Sequence, residues 1–573
     1  MALVAVPMAL AGQAEAAVYA MLGAFTTTFG RNFPYARRAA VVALVGLAMT
    51  VCVGAGSALG VRARPQDGGA GAVVVVAAMA VVAGVAKFGC DAARLRGLGA
   101  VLLLFSFAVS AYGVPAPSDV WARVTSAAIG AVVAWGLAMV GRLAHPERPQ
   151  RLAMAVALRE LAGLLDAATG NGGAGRLARH QATAAVLEAH RALGLPPATV
   201  AECGRRGGPC VRLAAISWTV LIRSASRPPD LPTGLAAHLR GQAVILLGRR
   251  RGEPELLPEL AALAETGSGS GSGSRTEAGS RTGSGSEAGV ATVTGVVECG
   301  VPGPHPAARA TSQAAPDLDL ERRASALTVG RRADAAGRAA RRAVLFVPAL
   351  RMTLGTGLAG GVALLLGLGH GYWAAISAAA VLHSINVRTA AQRAVQRTLG
   401  TAAGLALALA VLALHPGPLT LVLVIVLLEF LLEYGVAHNY GIGVVFLTPL
   451  ALLMSDLATP VPAEDLVQDR ALGSVVGIVV ALLCALVLIH GRAAERVRRA
   501  LTACGAASEL AERALKNPGA AALPELRSRL VGAVVELREA DDAAAGELWP
   551  AELDPTELAA AEQRAHRLLR RLE

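Results

Sequence analysis

Arginine side chains stand at matching places in two apolar stretches of this chain. Arg123 and Arg470 each begin the last segment of their stretch, and each lies seven residues before a glycine. Arg388 and Arg397 lie beside the turn between two earlier segments of the second stretch. A guanidinium can hold a carboxylate through two parallel N–H donors. The chemistry predicted for these four residues is therefore the binding of an organic anion.

Three further residues near the same segments are candidates for shaping that site. Trp373 begins one apolar segment, and Asn439 and Tyr440 stand at the start of a glycine-rich one. The alternative for any single arginine is a topological signal or a side chain that reaches lipid headgroups. The alternative for Trp373 is an aromatic belt at the membrane interface.

The sequence carries no arrangement of residues that indicates catalysis. The phosphate-binding loop of an ATPase needs a lysine after a glycine, and neither Lys87 nor Lys516 has that context. The GxGxxG string at 355–360 lies inside an apolar segment, where helix packing explains it. The 11 histidines form no HExxH pair. We therefore predict a protein that is not an enzyme and that uses no cofactor and no metal.

The composition indicates a membrane protein. Of 573 residues, 54% are hydrophobic, and the mean hydropathy is +0.52. Both values are too high for a soluble chain of this length, whereas apolar runs of about 17–25 residues suit a bilayer. The net charge of +12 comes mainly from arginines beside the apolar segments. The positive-inside rule explains that placement better than nucleic-acid binding does.

The apolar segments fall into two blocks of six. We predict an all-α polytopic membrane protein with two repeated bundles of about six transmembrane helices and with helical cytoplasmic domains. An even number of spans makes the two copies parallel rather than inverted. The predicted spans are 1–12, 16–30, 39–61, 72–87, 98–114 and 122–142, then 352–369, 371–386, 398–414, 418–433, 440–455 and 471–490.

Polar and basic regions separate and follow the two blocks. The glycine- and serine-rich stretch at 267–287 cannot bury apolar surface, which indicates a flexible linker. The tail carries about three amphipathic helices, which we expect to pack with the middle region. The predicted domains are a first transmembrane block at 1–142, a cytoplasmic helical region at 143–342 with a disordered linker at about 266–316, a second transmembrane block at 343–490, and a cytoplasmic helical tail at 491–573.

Arginine placement also predicts the orientation and the location. Basic clusters follow alternate spans, and the intervening loops are poorer in basic residues. This pattern predicts that both termini are cytoplasmic, in the cell inner (plasma) membrane. It also places Arg123 and Arg470 on the non-cytoplasmic side, where the rule requires no arginine. By comparison with the second block, which a basic stretch at 321–351 precedes, we expect the chain to begin part-way into its first helix.

Three stretches of the second block resemble the FUSC family, the fusaric acid resistance proteins and related aromatic carboxylic acid exporters. They are "GYWAAISAAAVLHSINVRTAAQRAVQRTLGTAAG" (371–404), "NYGIGVVFLTPLALL" (439–453) and "DRALGSVVGIVVALL" (469–483). The first block is a weaker copy, because it lacks the Tyr-Trp pair and the "RTLGT" string.

The resemblance implies a transporter-like membrane protein. The function it favours is gradient-driven export of organic anions such as aromatic carboxylic acids. Plant malate channels carry a similar domain, so a passive anion channel is one alternative, and a membrane scaffold without transport is another. The expected partners are membrane lipids and a small organic anion, with no nucleic acid. The sequence leaves a homo-oligomer open.

Overall fold

The computed structural model describes a helical chain. The described residues are 1–30, 33–93, 95, 99–113, 116–167, 172–194, 208–224, 232, 234–248, 256–260, 346–383, 387–458, 462–489, 492–516, 523–544 and 555–572. Their regular secondary structure is helical throughout, as the fold-class prediction required. The predicted linker, and the basic stretch at 321–342, lie outside the described residues.

The described residues of the first apolar block form six α-helices. Their bounds are Ala2–Leu10 (α1), Ala14–Ala24 (α2), Tyr35–Ala63 (α3), Gly69–Ala92 (α4), Gly99–Tyr112 (α5) and Asp119–Ala144 (α6). A short 3-10 turn over Phe25–Thr28 extends α2. The outward face of α3 carries Leu44, Leu47 and Val51 at helical spacing, as expected of a helix that meets lipid.

Four helices of the polar middle region precede six of the second apolar block. The middle helices are Arg148–Ala167 (α7), Gly172–Leu193 (α8), Pro209–Arg223 (α9) and Leu235–Leu247 (α10). The second block consists of Phe346–Leu365 (α11), Tyr372–Leu382 (α12), Val387–Leu412 (α13), Pro418–His438 (α14), Tyr440–Ala458 (α15) and Ala463–Ile489 (α16).

Eight described helices are long and apolar enough to cross a membrane, namely α3, α4, α6, α11, α13, α14, α15 and α16. The other four predicted spans are shorter helices. At 1.5 Å per residue, the 11 residues of α2 or α12 extend only about 17 Å, against a hydrocarbon core of about 30 Å. All of α5 and α12, and most of α2, are buried. Surrounding helices shield these segments from lipid. The segments therefore do not need the length of a helix that crosses the bilayer in contact with lipid.

Corresponding helices pack in corresponding pairs within the two blocks. In the first block α2 packs on α6, α3 on both α5 and α6, and α4 on α5. In the second block α12 packs on α16, α13 on both α15 and α16, and α14 on α15. Between the blocks, α5 contacts α12 and α2 contacts α15. The short buried helices therefore lie where the two blocks meet.

Glycines permit the closest of these helix contacts. A Cβ atom at Gly130 of α6 would overlap the carbonyl oxygen of Ala20 in α2. In the same way, a Cβ atom at Gly477 of α16 would overlap the carbonyl oxygen of Ala374 in α12. Such backbone-to-backbone approach is what small residues provide in membrane bundles. These two contacts fix how the last helix of each block faces a short buried helix.

A second hydrophobic core joins the middle region to the tail. The tail helices are Arg492–Lys516 (α17), Leu523–Ala544 (α18) and Pro555–Arg571 (α19). Their apolar faces pack with those of α7 to α10 in one cluster, which confirms the expected pairing of tail and middle region. Ion pairs between Arg564 and Glu512 and between Arg538 and Glu562 tie the tail helices together.

Enlarging Gly130 tests the close packing of α2 on α6. We expect Gly130→Val to destabilise the protein by at least about 1–3 kcal/mol, because the new side chain must displace backbone. Gly136→Val is the matched control on the same helix, since a Cβ atom there meets no atom within 4 Å. The measurement is thermal unfolding in detergent. Equal melting temperatures for the two variants would contradict the packing described.

The buried imidazole of His566 predicts acid sensitivity of the second core. Burial lowers the pKa of His566 to about 4. Nearby Glu562 opposes that shift, and Arg179 and Arg538 reinforce it. Because the folded pKa lies below the unfolded value, the stabilisation is present above about pH 6.5 and is lost as the pH falls toward 4.

At pH 5 the loss from this group is about 2 kcal/mol. We expect His566→Leu to remove this part of the decrease in stability between pH 7 and pH 5. His238→Leu is the control, because His238 is an exposed histidine on α10. It should leave the decrease in stability between pH 7 and pH 5 unchanged. Hydrogen exchange of α19 in the full chain measures the effect. A decrease that persists undiminished in His566→Leu would show that other groups cause it.

Candidate anion site

Arg470 is buried against an aromatic ring. Its side chain extends from α16 toward α12, and its Cζ atom lies 4.1 Å from the centroid of the Trp373 ring. Only 1% of the residue is exposed, and its Nε and Nη1 atoms are buried without a hydrogen-bond partner. A cation over the face of tryptophan is attracted by the ring, yet the ring supplies no acceptor for these N–H groups.

Arg397 extends from α13 into the same region. It is fully buried, at 0% exposure. Its Nη1 donates to Tyr440 Oη over 3.3 Å, and its Nη2 donates to Ser377 Oγ over 3.3 Å. Its Nε is buried without a partner. Both acceptors are neutral hydroxyls, so the charge of Arg397 is solvated but not neutralised.

The two arginines contact the same stretch of α12, and neither has a counter-ion among the described residues. Arg397 donates to Ser377, and Arg470 lies over Trp373. These two partners are one helical turn apart on α12. Among the described residues, no carboxylate forms a salt bridge with either one. The nearest acid in sequence, Asp469, accepts from the backbone N–H of His370 over 3.1 Å and lies 2.6 Å from its Nδ1. Isolated buried charges are costly, and among the described residues no carboxylate offsets that cost at this pair.

Aromatic rings from both blocks line this region. Tyr372 lies 4.6 Å from Trp373 and 4.7 Å from Tyr112, measured between ring centroids. Phe105 stacks on Trp373 at 6.1 Å. Phe105 and Tyr112 belong to α5 of the first block, and sequence reasoning missed both. Trp373 is fully buried, which excludes the alternative of an aromatic belt at the membrane surface.

Arg123 occupies a comparable place in the first block but has a carboxylate. Its Cζ lies 4.7 Å from the centroid of the Tyr19 ring. Its Nε and Nη2 donate to Glu15 Oε1 over 3.1 and 2.6 Å, and Nη2 also donates to the carbonyl of Gly113 over 2.9 Å. Arg123 therefore has a carboxylate partner, whereas Nε and Nη1 of Arg470 have no hydrogen-bond partner.

The remaining predicted residues divide between the site and the surface. Tyr440 joins the site through Arg397. Asn439 does not, because it is exposed and its Oδ1 accepts from the backbone N–H of Gly441 and from Gln396 Nε2. That bonding caps the start of α15. Arg388 lies in α13, and its side chain falls outside the described residues. In the described part of the chain, no group of acidic, histidine and cysteine side chains could hold a metal.

These features define an all-α, multi-pass membrane protein. Within it, residues 358–484 match the sequence model of a family described as fusaric acid resistance protein-like. That segment runs from α11 to α16 and contains the Arg397, Tyr440, Trp373 and Arg470 cluster, so the resemblance noted from the sequence is confirmed there.

One curated relative is the uncharacterized membrane protein YvaC of Bacillus subtilis (strain 168). It is 32% identical over 202 residues. The match covers 33% of this chain and 31% of that protein, so it extends over about a third of each. No solved structure shows a significant match.

Replacing Arg470 by a neutral side chain of similar length should stabilise the protein without anion. We expect Arg470→Met to raise the melting temperature, since removing a buried uncompensated charge relieves its desolvation cost. Arg123→Met is the matched comparison. It should lower the melting temperature, because it removes an ion pair and a backbone hydrogen bond. Thermal unfolding in buffer without small carboxylates measures both. A lower melting temperature for Arg470→Met would show that Arg470 is already compensated.

Proposed function

We propose that this protein transports organic anions, of which aromatic carboxylates fit the site best. The single observation that carries the proposal is the buried pair Arg397 and Arg470, whose charges lack a carboxylate partner among the described residues. The pair lies beside a wall of aromatic rings. A carboxylate would neutralise the guanidinium groups through charge-assisted hydrogen bonds. An attached aromatic ring would contact Trp373, Tyr372 or Phe105.

The position of the site along the helices supports transport rather than surface binding. Arg397 lies about 15 Å along α13 from its first residue, and Arg470 lies about 10 Å along α16 from its first residue. These two helices pack on each other within one bundle. In the predicted alternating topology they begin at opposite faces of the membrane. Both arginines therefore lie inside the helical segments rather than at a helix end, and an ionisable side chain inside such a segment is costly and supports a functional role.

The proposed arrangement in the cell follows the same reasoning. The two blocks would be parallel copies of one unit, which the corresponding helix pairs support. The soluble core of α7 to α10 and α17 to α19 would lie in the cytoplasm with both termini, and the chain would reside in the inner (plasma) membrane among lipids. Export would be driven by a gradient, since the sequence carries no phosphate-binding loop for ATP hydrolysis. A homo-oligomer is compatible with this layout.

Efflux of a small panel of acids tests the function. Cells that overproduce the full chain would be loaded with benzoate, 4-hydroxybenzoate, acetate or succinate. We expect faster efflux of the aromatic acids, and a rate about 100-fold lower in Arg470→Gln and Arg397→Gln, since truncating one side of a buried charge contact costs about 2–5 kcal/mol. Arg499→Gln is the control, because that arginine is exposed on α17.

Transport measurements on the same cells distinguish a carrier from a passive anion channel and from a scaffold. Saturable efflux that depends on an ion gradient supports a carrier, whereas unsaturated current through single molecules would replace it with a passive anion channel. Absence of efflux for every acid, with the protein shown to be folded in the membrane, would overturn the proposal and favour a scaffold.

A further inference from the structure

The two blocks contain the same pairing of an arginine with an aromatic ring. In the first block Arg123 lies over Tyr19, and in the second Arg470 lies over Trp373. Each aromatic residue directly precedes the alanine whose carbonyl contacts the glycine seven residues after the arginine. The two pairs therefore occupy the same place relative to the close helix contact in their own blocks.

Within the described part of the chain, one pair contacts a carboxylate and the other does not. Glu15 lies one helical turn before Tyr19, and its Oε1 accepts from both Nε and Nη2 of Arg123. Four residues before Trp373 the chain has Gly369, which carries no side chain. The neighbouring acid, Asp469, is bound by His370 instead. Arg470 consequently keeps its Nε and Nη1 without partners.

We infer that Glu15 closes an anion site in the first block by placing its own carboxylate where a ligand carboxylate binds at Arg470 in the second. This inference deepens the proposed function and rests on it for the role of Arg470. The chain then has one open anion site and one site filled by an internal mimic of the ligand.

The internal carboxylate also indicates how the ligand binds. At Arg123 one oxygen atom is shared by Nε and Nη2, along the edge of the guanidinium, while the ring of Tyr19 covers its face. A ligand carboxylate at Arg470 would likewise approach the edge that includes the free Nε, because Trp373 covers the face. The rest of the ligand then extends toward the aromatic wall rather than between Arg470 and Trp373.

Removing the internal carboxylate should open the second site. The experiment is equilibrium dialysis of radiolabelled benzoate against the purified full chain. We expect one benzoate per chain in the natural protein and two in Glu15→Ala, which frees Arg123. Because the side chain of Glu15 is 50% exposed, its removal leaves a path from solvent. The double variants Glu15→Ala/Arg123→Gln and Glu15→Ala/Arg470→Gln should each bind one.

The outcomes distinguish this inference from the proposed function. If the natural protein and Glu15→Ala both bind one benzoate, the closed site is wrong and the Arg470 site stands. If the natural protein binds none and Glu15→Ala binds one that Arg123→Gln abolishes, the closed site stands and the proposed function loses its support. If neither binds benzoate, the inference is overturned together with the Arg470 site.

A stability measurement covers the case in which Glu15→Ala folds poorly. Benzoate should then replace the missing carboxylate, so the amount of folded Glu15→Ala recovered from membranes should increase in sodium benzoate relative to sodium chloride at equal ionic strength. Glu15→Gln, which retains an acceptor oxygen but no charge, should respond less. Equal recovery of Glu15→Ala in the two salts would overturn the inference.

Discussion

The organisation of the membrane part depends on burying guanidinium groups in an apolar bundle. Moving an ion of this kind out of water costs several kcal/mol unless partners replace the water. In the first block the carboxylate of Glu15 and the carbonyl of Gly113 offset part of this cost, while Nη1 of Arg123 is buried without a partner. Among the described residues, the second block provides two hydroxyls for Arg397 and a tryptophan face for Arg470. The lack of a carboxylate partner among the described residues distinguishes Arg397 and Arg470 from Arg123.

Close helix packing holds those charges in place. Gly130 and Gly477 bring the last helix of each block against the backbone of a short helix, and this contact sets each arginine over the aromatic residue beside it. Because the short helices are enclosed by longer ones, they can end inside the bundle without exposing backbone to lipid. Close helix packing therefore explains both how the arginines are held in place and why helices as short as α2 and α12 are tolerated.

The second core is built from two sets of helices that are discontinuous in sequence. Helices α7 to α10 and α17 to α19 are separated by the entire second block, yet they share one apolar cluster. Helices pack within each set, and the apolar residues of both sets also belong to one cluster. The ion pair between Arg564 and Glu512 lies at the surface and contributes less than the apolar contacts.

The sequence by itself determined the fold class, because apolar runs separated by arginine clusters have few solutions other than membrane helices. It also indicated Arg397, Arg470, Tyr440 and Trp373, since polar residues in apolar segments are costly and therefore informative. It could not decide between binding and topology for any one of them, because hydropathy patterns do not record which side chains meet.

Only the tertiary structure decided which of these residues come together. It separated exposed Asn439 from the site and brought Phe105 and Tyr112 from the other block, contacts that no local pattern encodes. It also paired Arg123 with Glu15, two residues more than a hundred positions apart. Whether an arginine meets a carboxylate, as Arg123 does and Arg470 does not among the described residues, depends on the distance between helices. Side-chain packing sets that distance, and the order of residues does not reveal it.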